Sequence, residues 1–452
     1  MSRRSNRTDG GSVSKRPGSP EALSVHTSSH RMTTRSPVPA ILGGLAAGAV
    51  VAVALLLGAS SGGSEPLISG SVLSAFGLGW GLMAWLSTRF SAQPQAWMAV
   101  PAMFLGAIGL VLMVFQPGPA AMDVLSWIWP PALAILGVWM IVQVRRHLRG
   151  RGRWLVVPVT VTLLVFAVGG AVATVSAATG SGASAASGQM VDVGGRRLYL
   201  ECSGSGSPTV VLQAGLGESS AYWGRIAPGV AASTTVCAYD RAGHGRSDEV
   251  GPQDGIALAV DLHTLLVQAG LTGPYVLVGH SSGGNYVRVF AERYPDEVAG
   301  MVLLDAQPAD AFIALPDYPT TYQYLLRAAT LSPSLARIGL LGPTFGVTAD
   351  QSTPAAGRAA RDELLALPAA LRQAQALTSL GDRPLIVVSA GTGQQAGWLD
   401  AQDELPHLST NSTHRVDEAA THASLITGDG AAASTQAILD LVASLRSGTA
   451  LR

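Results

Sequence analysis

Residues Tyr275–Gly284 read YVLVGHSSGG. The apolar Tyr275–Val278 predicts a buried strand, and the residues from Gly284 onward predict a helix. Between them Gly279-His280-Ser281-Ser282-Gly283 forms G-x-S-x-G, the pattern of a sharp strand-to-helix turn with a serine hydroxyl raised above the end of a sheet. Glycine is needed at Gly279 and Gly283 because strand and helix pass too closely for a Cβ. The same pattern recurs at Gly58-Ala59-Ser60-Ser61-Gly62, but that copy follows a long apolar run and leads into a loop. In a chain with 53 glycines it is coincidence. Context therefore selects Ser281 as the candidate nucleophile.

Outward from this turn, short β-branched runs alternate with helical segments, the pattern of a mostly parallel α/β sheet. Met190–Val193 and Arg197–Cys202 flank Gly194-Gly195 and predict a hairpin. Strands follow at Thr209–Gln213, Thr234–Tyr239, Tyr275–Val278, Met301–Leu304, Leu385–Ser389 and about Thr413–Asp417, with helices at Gly255–Ala269, Gly284–Tyr294 and Ala432–Arg446. These give about eight strands in a domain spanning residues 190–452.

The preceding residues belong to another environment. Charged residues are 13% of the chain, against about 25% in a typical soluble domain. Five uncharged apolar runs, Val38–Leu57, Leu67–Leu86, Ala96–Phe115, Val124–Val144 and Trp154–Ala173, are each long enough to cross a bilayer as a helix. Residues 1–189 hold 13 basic and 4 acidic side chains; residues 190–452 hold 16 and 25. All 13 basic residues of the first part fall before the first run or in the second-to-third and fourth-to-fifth loops. The positive-inside rule makes those segments cytoplasmic, and five spans then put the C-terminal domain outside the cytoplasm. The expected organisation is a disordered cytoplasmic tail at 1–37, a five-helix transmembrane region at 38–174, a flexible Gly/Ser/Ala linker at 175–189 and the α/β domain at 190–452. No ionisable residue interrupts a run, which argues against a charged transport path. Neither half has the basic surface of a nucleic-acid binder.

The segments VLQAGLG (Val211–Gly217), YDRAGHGRSD (Tyr239–Asp248), YVLVGHSSGG (Tyr275–Gly284) and YPDEVAGMVLLDA (Tyr294–Ala306) together resemble the α/β-hydrolase superfamily over about Val191–Arg446. The resemblance implies a base on a loop after the last strand, which fits His422; His414 would fall at the wrong end of that strand. Most of the superfamily places its acid after the strand at Leu385–Ser389, but Ala390–Gly397 contains no carboxylate. Some members take it from the preceding strand, where Asp305 stands, with Asp400 or Asp403 as the alternatives and Asp417 behind them. The chain order Ser281, Asp305, His422 matches nucleophile, acid, base. The oxyanion donors implied are the Ser282 N–H and, from the loop Ala214–Gly217, the Leu216 N–H. That loop lacks the His-Gly many relatives carry.

A helical lid is implied at about 307–382, in which Tyr322–Thr330 and Arg358–Leu377 read as helices. Cys202 and Cys237 lie on strands that are neighbours in this fold, as a disulfide or as two buried thiols. With no metal-ligand cluster and no phosphate-binding glycine loop, the expected enzyme needs no cofactor and no metal. The reading is a membrane-anchored serine hydrolase acting on a small or lipophilic acyl ester. Thioesterase, aminopeptidase, lipase and acyltransferase chemistry use the same residues. A catalytically silent ligand-binding module on a membrane anchor is the alternative of another class, and a transporter with an accessory domain is a third. The sequence points to a small-molecule ester and the lipid bilayer as partners and to no nucleic acid, and it leaves protein partners open.

Overall fold

The computed structural model describes residues 36–59, 61–179, 188–341 and 351–451. The expected tail at 1–37 and linker at 175–189 therefore lie mostly outside the described residues.

Each apolar run becomes one long helix: α1 (Val38–Ala59), α2 (Glu65–Phe90), α3 (Ala99–Phe115, entered through a 3-10 turn at Ala96–Met98), α4 (Pro119–His147) and α5 (Arg151–Thr179). All five are long and apolar enough to cross a membrane. Charge gathers at their ends. Ser64 caps α2, its hydroxyl accepting from the Leu67 N–H, and Glu65 follows in the first turn. Arg145, Arg146 and His147 close α4. The helices pack through small residues: a Cβ on Gly77 would stand 2.6 Å from the Gly106 backbone, and one on Gly48 3.2 Å from Gly79. The outer faces carry Phe115, Ile135 and Trp154, each at least 70% exposed. A buried core helix would not present such a surface. Helix α5 continues past Ala173 to Thr179, so the first five residues of the expected linker are helical. Val175, Ser176, Ala177, Ala178 and Thr179 contain no Gly or Pro to stop the turn, and the Thr179 hydroxyl bonds back to the Val175 carbonyl.

The remaining chain builds one eight-stranded sheet. A hairpin of β1 (Gln189–Asp192) and β2 (Arg197–Ser203) opens it, with Asp192 Oδ1 accepting the Gly194 and Gly195 N–H groups in the turn. Then come β3 (Val210–Gln213), α6 (Ala227–Ala231), β4 (Val236–Tyr239), α7 (Gly255–Gln268), β5 (Tyr275–His280), α8 (Gly283–Arg293) and β6 (Val298–Leu304). After β6 the chain forms α9 (Ala311–Ala314), α10 (Tyr318–Arg337) and α11 (Pro354–Ala374) before returning as β7 (Leu385–Thr392). Helix α12 (Trp398–Glu404), β8 (Ser412–Thr421), α13 (Ser424–Thr427) and α14 (Ala431–Ser447) complete it. The strand order is β1-β2-β4-β3-β5-β6-β7-β8, antiparallel through β2–β4 and parallel thereafter. Strands β3, β4 and β5 are buried at every residue, as a sheet covered on both faces requires. Val211, Leu277 and Leu303 face a core closed by α7 and α8; Val210, Val276, Val278 and Val302 face one closed by α6 and α14. Cys202 and Cys237 pair in register across β2 and β4 and are joined as a disulfide.

Helices α10 and α11 pack on each other around Tyr318, Tyr322, Leu326, Leu364 and Leu367. They lie between the sheet and the apolar bundle. Thr330 accepts the Gly62 N–H, Ser334 bonds Ser69, and both Arg337 and Arg358 reach Glu65 at the start of α2.

Candidate active site

Strand β5 ends in His280, and the chain reverses at Ser281 with φ +54°, a conformation rare outside glycine. The turn is held from both sides. The Ser281 N–H donates to the Leu304 carbonyl (3.2 Å), and its own carbonyl accepts from the Gln307 (2.9 Å) and Gly284 (3.0 Å) N–H groups. Cβ atoms on Gly279 and Gly283 would come within 2.7 Å of the Gly284 Cα and the Ala214 carbonyl oxygen, so both positions exclude a side chain.

Asp305 follows β6 and is also left-handed, at φ +45°. Its N–H is taken by the Val388 carbonyl of β7, which turns the carboxylate inward, fully buried. There it accepts from the Ala390 N–H (3.2 Å), Gln394 Nε2 (2.9 Å), Trp398 Nε1 (2.9 Å) and His422 Nδ1 (2.6 Å). Burial pushes this carboxyl up, but the bonds from His422, Trp398 and Gln394 outweigh it and hold the group below the usual carboxylate range. His422 sits just after β8, 40% exposed at its side chain. With Nδ1–H committed to Asp305, its Nε2 is left as the acceptor. Its ring lies 4.6 Å from that of His280 and edge-on to Trp398 at 5.8 Å. His280 is buried; its Nε2 meets the His422 carbonyl (3.1 Å) and its Nδ1 meets Glu218 (3.2 Å). The residue before the serine thus fastens the histidine loop to the turn.

The loop after β3 passes directly beside the serine: a Cβ on Gly215 would stand 3.0 Å from the Ser281 Cβ. Its amides are largely committed. Gly215 N–H donates to Glu218 (2.6 Å) and Gly217 N–H to Glu363 (2.8 Å). The N–H groups of Leu216 and Ser282 donate to no partner among the described residues.

Ser281, Asp305, His422, Leu216 and Ser282 therefore all stand at the carboxyl ends of the parallel strands or in the loops just beyond them. The alternative acids do not meet His422. Asp400 and Asp403 lie on α12, exposed, and Asp403 pairs with His414 (2.8 Å). Asp417 accepts the Ala419 and Ala420 N–H groups of its own strand. Sequence reading missed Glu218, Trp398, Gln394 and Glu363. A lone carboxylate among the small residues of Gly215–Ser220 was the available signal for Glu218; the others bond across large sequence distances.

The family model for the alpha/beta hydrolase fold matches residues 208–337, from just before β3 through α10. The chain carries a domain of the α/β-hydrolase fold. Among curated relatives, an uncharacterised Schizosaccharomyces pombe protein is 29% identical over 297 residues, covering 55% of each chain. Lipase LipV of Mycobacterium tuberculosis is 33% identical over 182 residues, 38% of this chain and 63% of that one. A thermophilic esterase from Thermogutta terrifontis, solved with malate bound, superposes with a TM-score of 0.47 at 23% identity, over 57% of this chain and 99% of that one. The chain thus spans about half to two thirds of the length of these two curated relatives.

Proposed function

We propose that the protein is a membrane-anchored serine hydrolase that cleaves a carboxylic ester through an acyl-enzyme. The observation that carries the reading is the left-handed Ser281 turn standing beside a buried Asp305 that is bonded to His422 at 2.6 Å. In the proposed cycle Ser281 Oγ attacks the acyl carbonyl while His422 Nε2 takes its proton. Asp305 fixes the tautomer and stabilises the imidazolium. The negative oxygen that forms is met by the Leu216 and Ser282 N–H groups. Collapse expels the alcohol, which receives the proton from His422; water then repeats the sequence and releases the acid.

A serine at the turn, where dehalogenase and epoxide-hydrolase chemistry use an aspartate, favours esters. The apolar lid cluster includes Leu216 and Trp398, one supplying an amide beside Ser281 and the other touching both Asp305 and His422. That continuity supports a small or lipophilic acyl group. The distribution of basic residues and the Cys202–Cys237 disulfide support a domain held outside the cytoplasm.

The test is fluorophosphonate labelling of the full chain in detergent. The parent is expected to label; Ser281→Ala and His422→Ala are expected not to. Asp305→Asn should label far more slowly and Asp400→Asn like the parent. An ester panel of rising chain length then reads the acyl preference, and protease accessibility of the α/β domain in intact cells reads its side. A folded parent that neither labels nor turns over esters moves the reading to a ligand-binding module.

A further inference from the structure

Beneath the lid lies a buried polar cluster that the reaction above does not use. Glu363, on α11, has a side chain only 3% exposed. Its Oε1 accepts from Arg241 Nη2 (2.9 Å) and the Tyr286 hydroxyl (2.7 Å), and its Oε2 from the Gly217 N–H (2.8 Å) and pairs with His244 Nε2 (2.9 Å). Four partners from three separate segments converge on one lid carboxylate: the loops after β3 and β4, and α8. Arg241 carries the arrangement further. It donates Nη1 to the Ala214 carbonyl and Nη2 to the Gly215 carbonyl, both at 2.7 Å.

Glu363 and Arg241 together therefore hold backbone groups of Ala214, Gly215 and Gly217, on either side of Leu216. Leu216 itself packs in the lid cluster, and a Cβ on Gly217 would stand 3.7 Å from the lid residue Ala360. Without these bonds the loop Ala214–Gly217 carries two glycines, which give it little stiffness of its own. A donor worth its full effect must be fixed before the negative charge forms.

We infer that Glu363 is a positioning residue for the oxyanion loop, so that the lid helix α11, when seated, sets the Leu216 N–H beside Ser281. The inference rests on the serine-hydrolase reading above. The carboxylate is suited to the task. Burial pushes its carboxyl up, yet Arg241 and His244 pull it down to about 2, so it stays charged through the working pH range. A lid that lifts takes Glu363 with it and releases the Gly217 and Arg241 contacts together. Closure over substrate and completion of the oxyanion site then become one event.

The test uses the full chain in detergent, with kcat on a short soluble ester expressed per site titrated by fluorophosphonate. Glu363→Gln keeps the shape but removes the charge that orients Arg241. It should lower kcat per titrated site by roughly 10–100-fold, a fraction of the loss seen when a whole oxyanion donor is deleted, and leave KM within about threefold. A purely structural role would reduce the number of titratable sites and the Tm while kcat per site stayed at the parental value, and that result overturns the inference. Should Glu363→Gln fail to fold, Glu363→Asp decides. It keeps the charge for Arg241 but draws the carboxylate back from Gly217, and a parental kcat per site in that variant equally refutes the assignment. A parent that labels with neither fluorophosphonate nor ester refutes the hydrolase reading instead, a distinguishable failure.

Discussion

Glu65 opens α2 at the end of the bundle that meets the lid, and it is 1% exposed. Its carboxylate accepts from Arg337 through Nε and Nη2 and from Arg358 Nη1 at 2.8 Å. Those arginines belong to α10 and α11, so one side chain clamps both helices. Glu65→Gln removes the charge and nearly preserves the volume. Breaking a buried ion pair from one side costs about 3–5 kcal/mol. Here each arginine keeps a second carboxylate, Asp123 for Arg337 (3.1 Å) and Glu249 for Arg358 (2.9 Å). Those acids are 56% and 39% exposed and compensate little. The loss should therefore fall near the low end, about 3 kcal/mol, which is roughly a 100-fold rise in the population of undocked lid. Hydrogen exchange of the full chain in micelles reads it directly. The amides of Pro354–Ala374 should lose about two decades of protection while those of β5 and β6 keep theirs. Replacing the whole cluster, as E65M/R337M/R358M, should recover most of the loss, because no buried charge is then left alone. Protection of α11 within threefold of the parent in folded Glu65→Gln would refute the clamp.

Three further outcomes follow from the same contacts. Cys202→Ser with Cys237→Ser opens a 35-residue loop between β2 and β4; the chain-entropy relation puts the cost at about 3–4 kcal/mol, read as a lower denaturation midpoint with kcat per titrated site unchanged. Asp305 and Glu363 both ionise more easily in the folded protein than in the unfolded chain, Glu363 at about 2 against an ordinary 4.5. The unfolded state therefore binds more protons as pH falls, so their stabilisation is full above about pH 4.5 and is lost progressively toward 2; a Tm that stays flat across that window would contradict both assignments. Gly283→Ala would put a methyl within 2.7 Å of the Ala214 carbonyl oxygen, so the β3 loop and the serine turn must separate; a loss of about 2 kcal/mol or more in stability, with fluorophosphonate labelling slowed well beyond it, is the expected pair of readings.

How far the sequence carried depended on whether a requirement was local. The Ser281 turn was legible because its glycines, its strand and its helix lie within about twenty consecutive residues, each demanded by close packing. Asp305 could be chosen because Ala390–Gly397 offers no carboxylate, and the structure uses that same stretch, through the Ala390 N–H and Gln394, to hold the Asp305 carboxylate. The disulfide was readable only as one of two outcomes, since strand adjacency does not set register; the in-register pairing of Cys202 with Cys237 does. Composition misled at residues 175–179. Alanine and serine look linker-like beside the glycines that follow, but helix propensity carries α5 through them. Glu65 and Glu363 were beyond reach for a different reason. Their arginines stand 272 and 122 residues away, and nothing near either glutamate announces a partner.

Those two glutamates bear on what five apolar helices contribute to this domain. A lone helix would not supply the surface on which α10 and α11 rest. Arg337 is met by Glu65 of α2 and by Asp123, Ser126 and the Met122 carbonyl of α4. The turn after it passes so close to α5 that a Cβ on Gly170 would come within 3.2 Å of the Arg337 carbonyl oxygen. Three helices of the bundle thus form one seat for the end of α10, and Glu65 extends it to Arg358 on α11. Five residues along α11 stands Glu363, holding the loop beside Ser281. An unbroken run of buried charge-assisted bonds and one rigid helix links the start of α2 to the Gly217 amide. With the bundle absent, Arg337 and Arg358 would lose their shared carboxylate and α11 its seat. The apolar helices are in this sense part of what holds α10 and α11 in place and, on the proposed reading, through Glu363 part of the geometry at Ser281.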